Sequence, residues 1–353
     1  MAKLSKRVLI TGSSGLIGSE AVLYFDQHGY RVFGIDNNMR ADFFGPKGDT
    51  TWNLQQLQSK TRLFEHYDLD IRNRVVILDF FKTHRPQIII HCAAQPSHDL
   101  ASKRPFDDFD VNAAGTLNLL EAARQYVKES PFVFMSTNKV YGDAPNEIPL
   151  VELDYRYDYA RKEDYQGISE ACRIDQSLHS LFGASKVAAD VITQEYGRYF
   201  NMPTVCFRGG CLTGPSQSGV ELHGFLSYLI KAAVYGDKYT IFGYKGKQVR
   251  DQIHSEDVVS AIEAYIQSPR RGEVYNLGGG RESNVSILEC IKKIEARLGH
   301  PVNTEYVDRN RKGDHICYIS DLTKFKSHYP KWHLTRFIDD IIDEILSSEL
   351  ARM

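Results

Sequence analysis

Short apolar runs alternate with amphipathic stretches through the first half of the chain. A short apolar run flanked by turn residues is typical of a buried strand, whereas apolar positions three or four apart are typical of a helix that covers a sheet. The alternation of the two predicts an α/β fold of the Rossmann type, with a doubly wound parallel sheet covered on both faces. The predicted strands are Arg7–Ile10, Arg31–Ile35, Arg62–Tyr67, Ile88–His91 and Phe132–Met135, and the predicted helices include Leu16–His28, Val75–Thr83 and Asn112–Tyr126.

The pattern changes after Arg208. Glycine and proline cluster between Gly209 and Pro215, a helical stretch follows at Phe225–Tyr235, and the remainder is polar with isolated strands. We therefore predict a first domain at residues 1–208, with a return segment near 252–280, and a smaller α+β domain at residues 209–353. Ligands bind at the carboxyl edge of the strands in open α/β sheets, and the second domain is expected to close over that edge.

Composition narrows the class of protein without identifying it. The 353 residues carry a formal net charge of −2, which gives no general attraction to nucleic acid or to anionic membrane. The six cysteines include no CxxC pair, which favours a reducing compartment and argues against a zinc site. The apolar stretch near the start is too short for a signal peptide, and no run reaches membrane-spanning length. We expect a cytoplasmic protein that binds no metal.

A glycine-rich turn joins the first predicted strand to the first predicted helix. Its glycines have the spacing GxxGxxG, and an acidic residue ends the second predicted strand. Such glycines let the backbone approach a pyrophosphate, and the helix that follows offers free N–H groups and a partial positive charge. The acid can accept hydrogen bonds from an adenosine ribose and repels a 2′-phosphate, so NAD is favoured over NADP. The residues that we assign to the cofactor here are Gly12, Ser14, Gly15, Leu16, Ile17, Gly18, Asp36 and Asn37.

Several further segments match one superfamily residue by residue. The chain resembles the extended short-chain dehydrogenase/reductases over nearly its whole length. The resemblance implies that Asp70 and Ile71 contact the adenine, that Ala93, Ala94 and Gln95 lie along the cofactor, and that Asn112 is structural. It also implies a catalytic Ser/Thr and lysine at Thr137 and Lys186, with Lys186 also binding cofactor, and a segment beside the nicotinamide at Phe207 and Arg208.

Within the superfamily, the segments GTLNLLEA, STNKVYGD and GKQVRD resemble the CDP-tyvelose 2-epimerase (CDP-paratose 2-epimerase) group. This resemblance implies a homodimeric enzyme that keeps NAD bound. It implies that a sugar carbon is oxidised to a ketone and that the hydride returns to the other face, with no net redox change. The first predicted domain would then bind NAD, and the second would bind a CDP- or UDP-hexose.

One position departs from that group. The group usually has Pro-Tyr-Gly-x-Ser-Lys, whereas this chain has Leu181, Phe182, Gly183, Ala184, Ser185 and Lys186. Residues at i and i+4 share a helix face, so the lysine ammonium normally stabilises a tyrosinate that accepts the substrate proton. Phenylalanine keeps the shape of the ring and loses the proton. A general acid–base group contributes about 10²- to 10⁴-fold to a rate, so its replacement decides what this site can do.

Several groups are candidates to replace the tyrosine. His179 lies three residues before Phe182, and imidazole titrates near neutral pH. Tyr141, the carboxylates Asp175 and Glu170, and the thiol of Cys211 are further candidates. Lys186 acting directly or through water is another, and the sequence leaves these alternatives open.

The substrate side is predicted from the same resemblance. Arg250, in GKQVRD, matches the residue that grips the diphosphate, and a guanidinium offers a planar fork suited to phosphate oxygens. Asp314 matches a late acidic residue that meets the nucleotide ribose. The remaining substrate candidates are Pro96, Ser97 and Asn138 on the sugar side, and Gln217 and His223 on the nucleotide side.

Three functions compete at this point. The leading hypothesis is a nucleotide-sugar epimerase. A second is an NAD-binding regulatory or scaffold protein that has lost catalysis, which Phe182 favours and the retention of Thr137, Lys186 and Arg250 opposes. A third is a nucleotide-sugar dehydratase, in which an acidic residue usually follows the Ser/Thr. Asn138 and Lys139 occupy that place here and argue against it.

Overall fold

A computed structural model describes residues 6–217, 224–310 and 314–352. The strands are β1 Arg7–Thr11, β2 Arg31–Ile35, β3 Phe64–Tyr67, β4 Ile88–His91, β5 Phe132–Thr137, β6 Leu150–Glu152, β7 Tyr157–Tyr159, β8 Thr204–Gly209, β9 Cys211–Thr213, β10 Tyr239–Phe242, β11 Val249–His254, β12 Glu273–Leu277, β13 Asn284–Ser286, β14 Thr304–Val307 and β15 Cys317–Tyr318. The helices are α1 Leu16–Gln27, α2 Met39–Phe44, α3 Thr51–Lys60, α4 Arg74–His84, α5 His98–Lys103, α6 Pro105–Phe109, α7 Gly115–Tyr126, α8 Leu181–Tyr199, α9 Phe225–Tyr235, α10 Ser255–Gln267, α11 Ile287–Leu298, α12 Thr323–His328 and α13 Ile338–Leu350.

The described residues divide into two compact units. The first unit contains residues 1–140, 181–208 and 258–275, and the second contains residues 141–180, 209–257 and 276–353. The predicted first domain, residues 1–208, differs from the first unit at residues 141–180. This segment forms short elements such as the β6–β7 hairpin and pairs with residues of the second unit, for example through the bridge between Ile168 and Ser320.

A seven-stranded sheet forms the centre of the first unit. Its strand order is β12-β8-β5-β4-β1-β2-β3, and β1 pairs in parallel with both β2 and β4. The central strands β1 and β4 are almost wholly buried, as the uninterrupted apolar runs predict for strands covered on both faces. The predicted Rossmann fold is therefore confirmed, with strand boundaries that differ by at most two residues.

The helical predictions agree nearly as well, with one difference of physical interest. The predicted helix Asn112–Tyr126 is α7 from Gly115 onward, and its first turn is a π-helical segment, Asp110–Ala114. Periodicity cannot reveal this segment, because five residues are too few to show a change of period. The π-helical turn contains Asn112, whose side chain is used in the site described below.

The second unit is built from small sheets and helices around its own core. The strand β11 pairs in parallel with β9 and β15 and antiparallel with β13, while β10 pairs with β14. The helices α9, α11 and α13 bury their apolar faces together. A capping box at Ser286 and Glu289 fixes the start of α11 directly after β13. Among the described residues, no helix combines the length and hydrophobicity needed to cross a bilayer.

Candidate active site

The glycine-rich turn connects β1 to α1 in the first unit. Gly12 has φ of 68°, and a Cβ atom there would lie 2.7 Å from the backbone nitrogen of Ala93. A Cβ atom on Gly18 would lie 2.0 Å from the carbonyl oxygen of Gly12. The first and third glycines therefore let the turn pass close to the segment after β4 and let α1 pack directly on the turn. Any larger residue at either place would separate these elements.

The start of α1 has the properties that a pyrophosphate requires. Gly15 is the N-cap residue, and no side chain caps the helix. The hydroxyl groups of Ser13 and Ser14 are buried without a hydrogen-bond partner among the described residues. Buried polar groups are normally satisfied, so these donors indicate a polar ligand at the turn. Together with the unshielded helix N-terminus, they fit the diphosphate of a dinucleotide cofactor.

Asp36 lies at the end of β2, where the sequence predicts the ribose acceptor. Its carboxylate accepts hydrogen bonds from the backbone N–H groups of Ser14, at 2.9 Å, and Asn38, at 2.8 Å. A carboxylate has four lone-pair positions, so two bonds leave capacity for ribose hydroxyls. The neighbouring Asn37 is exposed, and its side-chain oxygen accepts from the N–H of Met39.

The predicted adenine-contacting pair has structural partners of its own. Asp70 forms an ion pair with Arg72 at 2.7 Å, and Arg72 also pairs with Asp107. Ile71 is buried, and its side chain packs where Gly115 leaves room. These contacts fix the loop after β3, and they mean that Asp70 would share its carboxylate between Arg72 and any adenine.

The segment after β4 is held by a buried hydrogen-bond network. His91 bridges the hydroxyl groups of Thr11 and Thr116, and burial lowers its pKa to about 3, so the ring stays neutral. Gln95 donates its backbone N–H to Asn112 and its side-chain amide to Asp108, at 2.6 Å. Asn112 therefore has the structural role that the resemblance implies, and Ala93 and Ala94 are held beside the glycine turn.

Thr137 and Lys186 lie in the same unit. Thr137 ends β5 and is partly exposed, and its hydroxyl oxygen accepts from the N–H of Lys139 at 3.2 Å. Lys186, on α8, donates to the carbonyl oxygen of Met135 at 2.8 Å and stands 4.2 Å from the ring centroid of Phe134. Asn138 is buried, and its side-chain oxygen accepts from Thr137. Thr137 is thus the last residue of β5, and Lys186 binds the backbone of the same strand two residues earlier.

Burial sets the protonation of Lys186. Its side chain is almost wholly buried, and this burial lowers its pKa to about 8, against the opposing attraction of Asp190 one helical turn further along α8. A lysine in this range is still mostly an ammonium at neutral pH and can exchange its proton readily. Asp190 in turn accepts from the hydroxyl of Ser136 at 2.5 Å.

Two predicted cofactor residues have other roles. The guanidinium of Arg208 forms a bidentate buried ion pair with Asp190, at 3.1 and 2.8 Å. Phe207 has no exposed surface, and its ring packs against Tyr265 and Tyr275. Their side chains therefore belong to the interior of the unit, because alternate residues of β8 point to opposite covered faces of the sheet. Only the backbone of this segment remains a candidate for contact with cofactor.

Phe182 lies in the first turn of α8, one turn before Lys186, as predicted. It is 6% exposed, and its ring meets the imidazole of His98 edge to face, with centroids 5.1 Å apart and an interplanar angle of 67°. Sequence reasoning missed His98. The signal was the motif Gln-Pro-Ser-His after β4, in which the serine caps a helix and so fixes the residue that follows it.

The second unit contains the predicted phosphate-binding arginine. Arg250, on β11, is buried and donates to the carboxylate of Asp314 at 2.6 Å and to the carbonyl oxygens of Val249 and His315. These bonds use three of the five guanidinium N–H groups. Asp314 therefore orients Arg250, and its predicted contact with ribose stays a prediction.

The other substrate candidates divide into three groups. Ser97 is fully buried and caps α5, accepting from the N–H of Leu100 at 3.3 Å, while Pro96 beside it is partly exposed. Gln217 accepts from the hydroxyl of Ser227 at 2.7 Å and donates to Leu212. His223 lies outside the described residues. The structure thus gives Ser97 and Gln217 structural hydrogen bonds that their sequence context did not predict.

His179 lies in the second unit, two residues before the start of α8. Its Nδ1 atom is 3.0 Å from the carbonyl oxygen of Ser177, and its side chain is partly buried. Tyr141 and Glu170, two other candidates for the missing acid–base group, both bind Asn276. The Tyr141 hydroxyl donates to the side-chain oxygen of Asn276 at 2.7 Å, and Glu170 accepts from its backbone N–H at 2.7 Å.

The Rossmann sheet, the glycine turn and the Thr137–Lys186 pair define an oxidoreductase-like site that uses a dinucleotide. A model of the NAD dependent epimerase/dehydratase family matches residues 8–278. CDP-paratose 2-epimerase from Salmonella typhi is 34% identical over 326 residues, which cover 90% of this chain and 92% of that protein. A dTDP-glucose 4,6-dehydratase from Escherichia coli is 27% identical over 91% of this chain and 87% of its own length.

Solved structures agree with these matches. The UDP-glucose 4-epimerase of Thermus thermophilus, in complex with NAD, superposes with a TM-score of 0.77 at 25% identity, over 98% of this chain and all of the other. The chain therefore belongs to the NAD-dependent epimerase/dehydratase family of extended short-chain dehydrogenase/reductases. It is an enzyme of this class, and its cofactor is NAD.

Proposed function

We propose that this protein is a nucleotide-sugar epimerase that acts at C2 of a CDP- or UDP-hexose. One observation supports the proposal above all. The chain has the glycine turn expected to bind NAD together with Thr137 and Lys186, and it is 34% identical to a CDP-paratose 2-epimerase over 90% of its length. The first unit would hold NAD through Gly12–Gly18 and Asp36. The second would hold the diphosphate through Arg250, whose guanidinium is already oriented by Asp314.

The residues of this chain divide the chemical task. NAD, when bound, accepts the hydride from the sugar carbon and later returns it. Thr137 offers a hydroxyl at the end of β5 that can bind the sugar oxygen as its charge changes. Lys186 places an ammonium on the neighbouring helix face, where a positive charge favours loss of the sugar hydroxyl proton and stabilises the oxygen that remains. Rotation of the ketone before the hydride returns would invert the carbon.

The experiment follows the fate of hydrogen at C2. The purified protein, loaded with NAD, is incubated with CDP-, UDP- and dTDP-hexoses that carry deuterium at C2, and the products are separated and analysed by NMR. An epimerase returns deuterium to C2 in the inverted configuration. A dehydratase would instead release a product that has lost water, and a scaffold protein would bind NAD and leave every sugar unchanged. Either of these two results would refute the proposal.

A pair of lysine variants controls for general loss of charge. Lys186→Met removes the buried ammonium, and turnover should fall about 10²- to 10⁴-fold because the oxygen loses its stabilising charge. Lys82→Met removes an exposed lysine of α4 and should leave turnover unchanged. Equal turnover by the two variants would show that Lys186 has no catalytic role.

A further inference from the structure

The proposed function leaves one proton without an acceptor. Phe182 occupies the first turn of α8, four residues before Lys186, and its phenyl ring has no group that can accept or donate a proton. The ring is nearly buried, and the space that it fills is closed to bulk water. A titratable group that contacts this ring is therefore a candidate for the missing function.

His98 contacts the ring directly. The two ring centroids are 5.1 Å apart, and the planes meet at 67°, which is an edge-to-face arrangement. His98 is the first residue of α5, which packs on α8, and its side chain is partly buried. Imidazole is the side chain whose ordinary titration lies nearest to neutral pH, so it suits reversible proton transfer.

A continuous chain of hydrogen bonds links the backbone segments that carry the two rings. Ser97, the residue before His98, donates its N–H to the side-chain oxygen of Gln95 at 2.6 Å. Gln95 donates its own N–H to Asn112 at 3.0 Å, and Asn112 donates to the hydroxyl of Ser185 at 3.0 Å. Ser185 then donates to the carbonyl oxygen of Phe182, also at 3.0 Å.

This network is buried and nearly saturated, so it holds α5 and the first turn of α8 in one geometry. Catalytic groups need supporting bonds of this kind, because a shift of about 1 Å in a reacting group can cost about 100-fold in rate. The contact between His98 and Phe182 is thus a fixed feature of the first unit. It does not depend on the conformation of two exposed side chains.

We propose that His98 is the catalytic acid–base group that acts in place of the missing tyrosine, an inference that rests on the proposed epimerase function. In the oxidation step, the O–H bond of the sugar hydroxyl breaks and its proton goes to a ring nitrogen of His98. The oxygen electron pair forms the carbonyl bond as the carbon–hydrogen pair leaves as hydride for the nicotinamide. The carbon is oxidised by two electrons and NAD is reduced by two. In the return step the imidazolium gives its proton back to the oxygen.

His98 has a physical advantage over two of the candidates that the sequence suggests. Tyr141 and Glu170 already bind Asn276 in the second unit. His98 belongs to the same unit as Lys186 and Phe182, and the network described above positions it. Phe182 then has a packing role, since its ring lies edge to face with the imidazole.

Turnover of three variants tests the proposal. His98→Gln keeps the approximate size and a hydrogen-bonding group but cannot titrate, so kcat should fall about 10²- to 10⁴-fold while NAD affinity stays within about twofold. Phe182→Tyr, introduced into His98→Gln, should restore roughly tenfold or more, because it supplies a phenol one turn from Lys186. His28→Gln, at an exposed histidine of the same unit, is the matched control and should behave as wild type.

Two results of these assays would overturn the proposal. If His98→Gln retains turnover within about threefold of wild type, the imidazole is not the proton carrier. If turnover and NAD binding are lost together, and the second substitution restores neither, His98 is structural.

A second readout needs no turnover, so it separates this inference from the proposed function. In protein with ¹³C-labelled histidine, the His98 signal is identified by its absence from His98→Gln, and its titration is followed by NMR. Phe182→Tyr should shift the midpoint by about half a pH unit or more, because a phenol can hydrogen-bond to the imidazole. The charged groups on α5 and on the helices α6 and α8 that pack against it are common to both proteins and cancel in the comparison; those nearest are Asp99, Lys103, Asp107, Asp108, Lys186 and Asp190.

The two readouts give distinct results. An unshifted midpoint, or an imidazole that does not titrate between about pH 5 and 9, would overturn the role of His98 whatever the substrate is. If the midpoint shifts but none of the nucleotide sugars is converted, the proposed epimerase function fails while the coupling of His98 to position 182 stands.

Discussion

At the scale of single residues, the site depends on a buried positive charge. The ammonium of Lys186 has lost most of its contact with water, and a carbonyl oxygen and the face of Phe134 replace only part of that solvation. Asp190 lies behind it but is already paired with Arg208. The lowered pKa of Lys186, about 8, expresses this incomplete compensation. Buried charges of this kind reduce stability in return for chemistry.

Lys186→Met should therefore stabilise the cofactor-free protein. Below pH 8 both the folded and unfolded wild type carry the proton, and the folded protein bears the full cost of burying it, so the variant should be more stable by about 1–3 kcal/mol. Between pH 8 and about 10.5 the unfolded chain binds more protons than the folded one, so wild-type stability rises relative to the variant. Urea unfolding of both proteins across this range measures the difference.

Lys82→Met again controls for loss of one positive charge. Groups far from Lys186 titrate alike in the wild type and the variant and cancel in the difference. A stability gap between wild type and Lys186→Met that does not narrow above pH 8 would mean that the lysine is not buried as a cation.

At the scale of elements, the turn between β1 and α1 depends on close backbone approach. The Cβ position of Gly18 would fall 2.0 Å from the carbonyl oxygen of Gly12, which is far inside contact distance. The helix can lie against the turn only because this side chain is absent. That proximity brings the N-terminal N–H groups of α1 to the place where the cofactor diphosphate is expected.

Gly18→Ala should force α1 away from the turn. We expect a loss of about 1–3 kcal/mol in the free energy of unfolding, as in overpacked cores, and at least a tenfold loss in NAD affinity. Ser19→Ala changes the next residue of the same helix and adds no atoms, so NAD affinity should remain. Calorimetric titration with NAD and thermal unfolding measure the two effects. Normal NAD binding by Gly18→Ala would show that the turn tolerates displacement.

At the scale of the whole molecule, the contacts assigned to NAD and the contact proposed for the substrate diphosphate belong to different units. Every residue that we assign to NAD lies in residues 1–140 or 181–208, whereas Arg250 and Asp314 lie in the second unit. Each ligand should therefore have its own set of sensitive residues. The homodimer implied by the family resemblance stays a prediction.

A matched pair of variants tests this division by thermal shift. A ligand at 100 times its Kd stabilises a protein by about 2.7 kcal/mol, which is readily visible in Tm. Asp36→Ala should weaken the shift caused by NAD and leave the shift caused by CDP, used as a nucleotide probe. Arg250→Lys should weaken the shift caused by CDP and leave the shift caused by NAD, because an ammonium keeps the charge but lacks the planar fork of the guanidinium. Loss of both shifts in either variant would contradict separate sites.

Local sequence patterns determined much of the fold and part of the candidate site. The apolar runs fix the strands, since a strand covered on both faces must be apolar throughout, and β2 and β4 have the predicted boundaries. The glycine turn and Asp36 could be assigned because a βα unit places them by short-range geometry, whereas Thr137 and Lys186 were assigned through the family resemblance. Phe182 could be recognised because a residue four places before Lys186 shares its helix face.

Tertiary structure decided the roles that depend on partners distant in sequence. The buried ion pair between Arg208 and Asp190 could not be predicted from the sequence. The same is true of the bond by which Asp314 orients Arg250, across 64 residues. The same holds for His98. Its contact with Phe182 joins positions 84 residues apart through a hydrogen-bond network. Sequence periodicity carries information about neighbours on one element, whereas such contacts exist only once separate elements pack together.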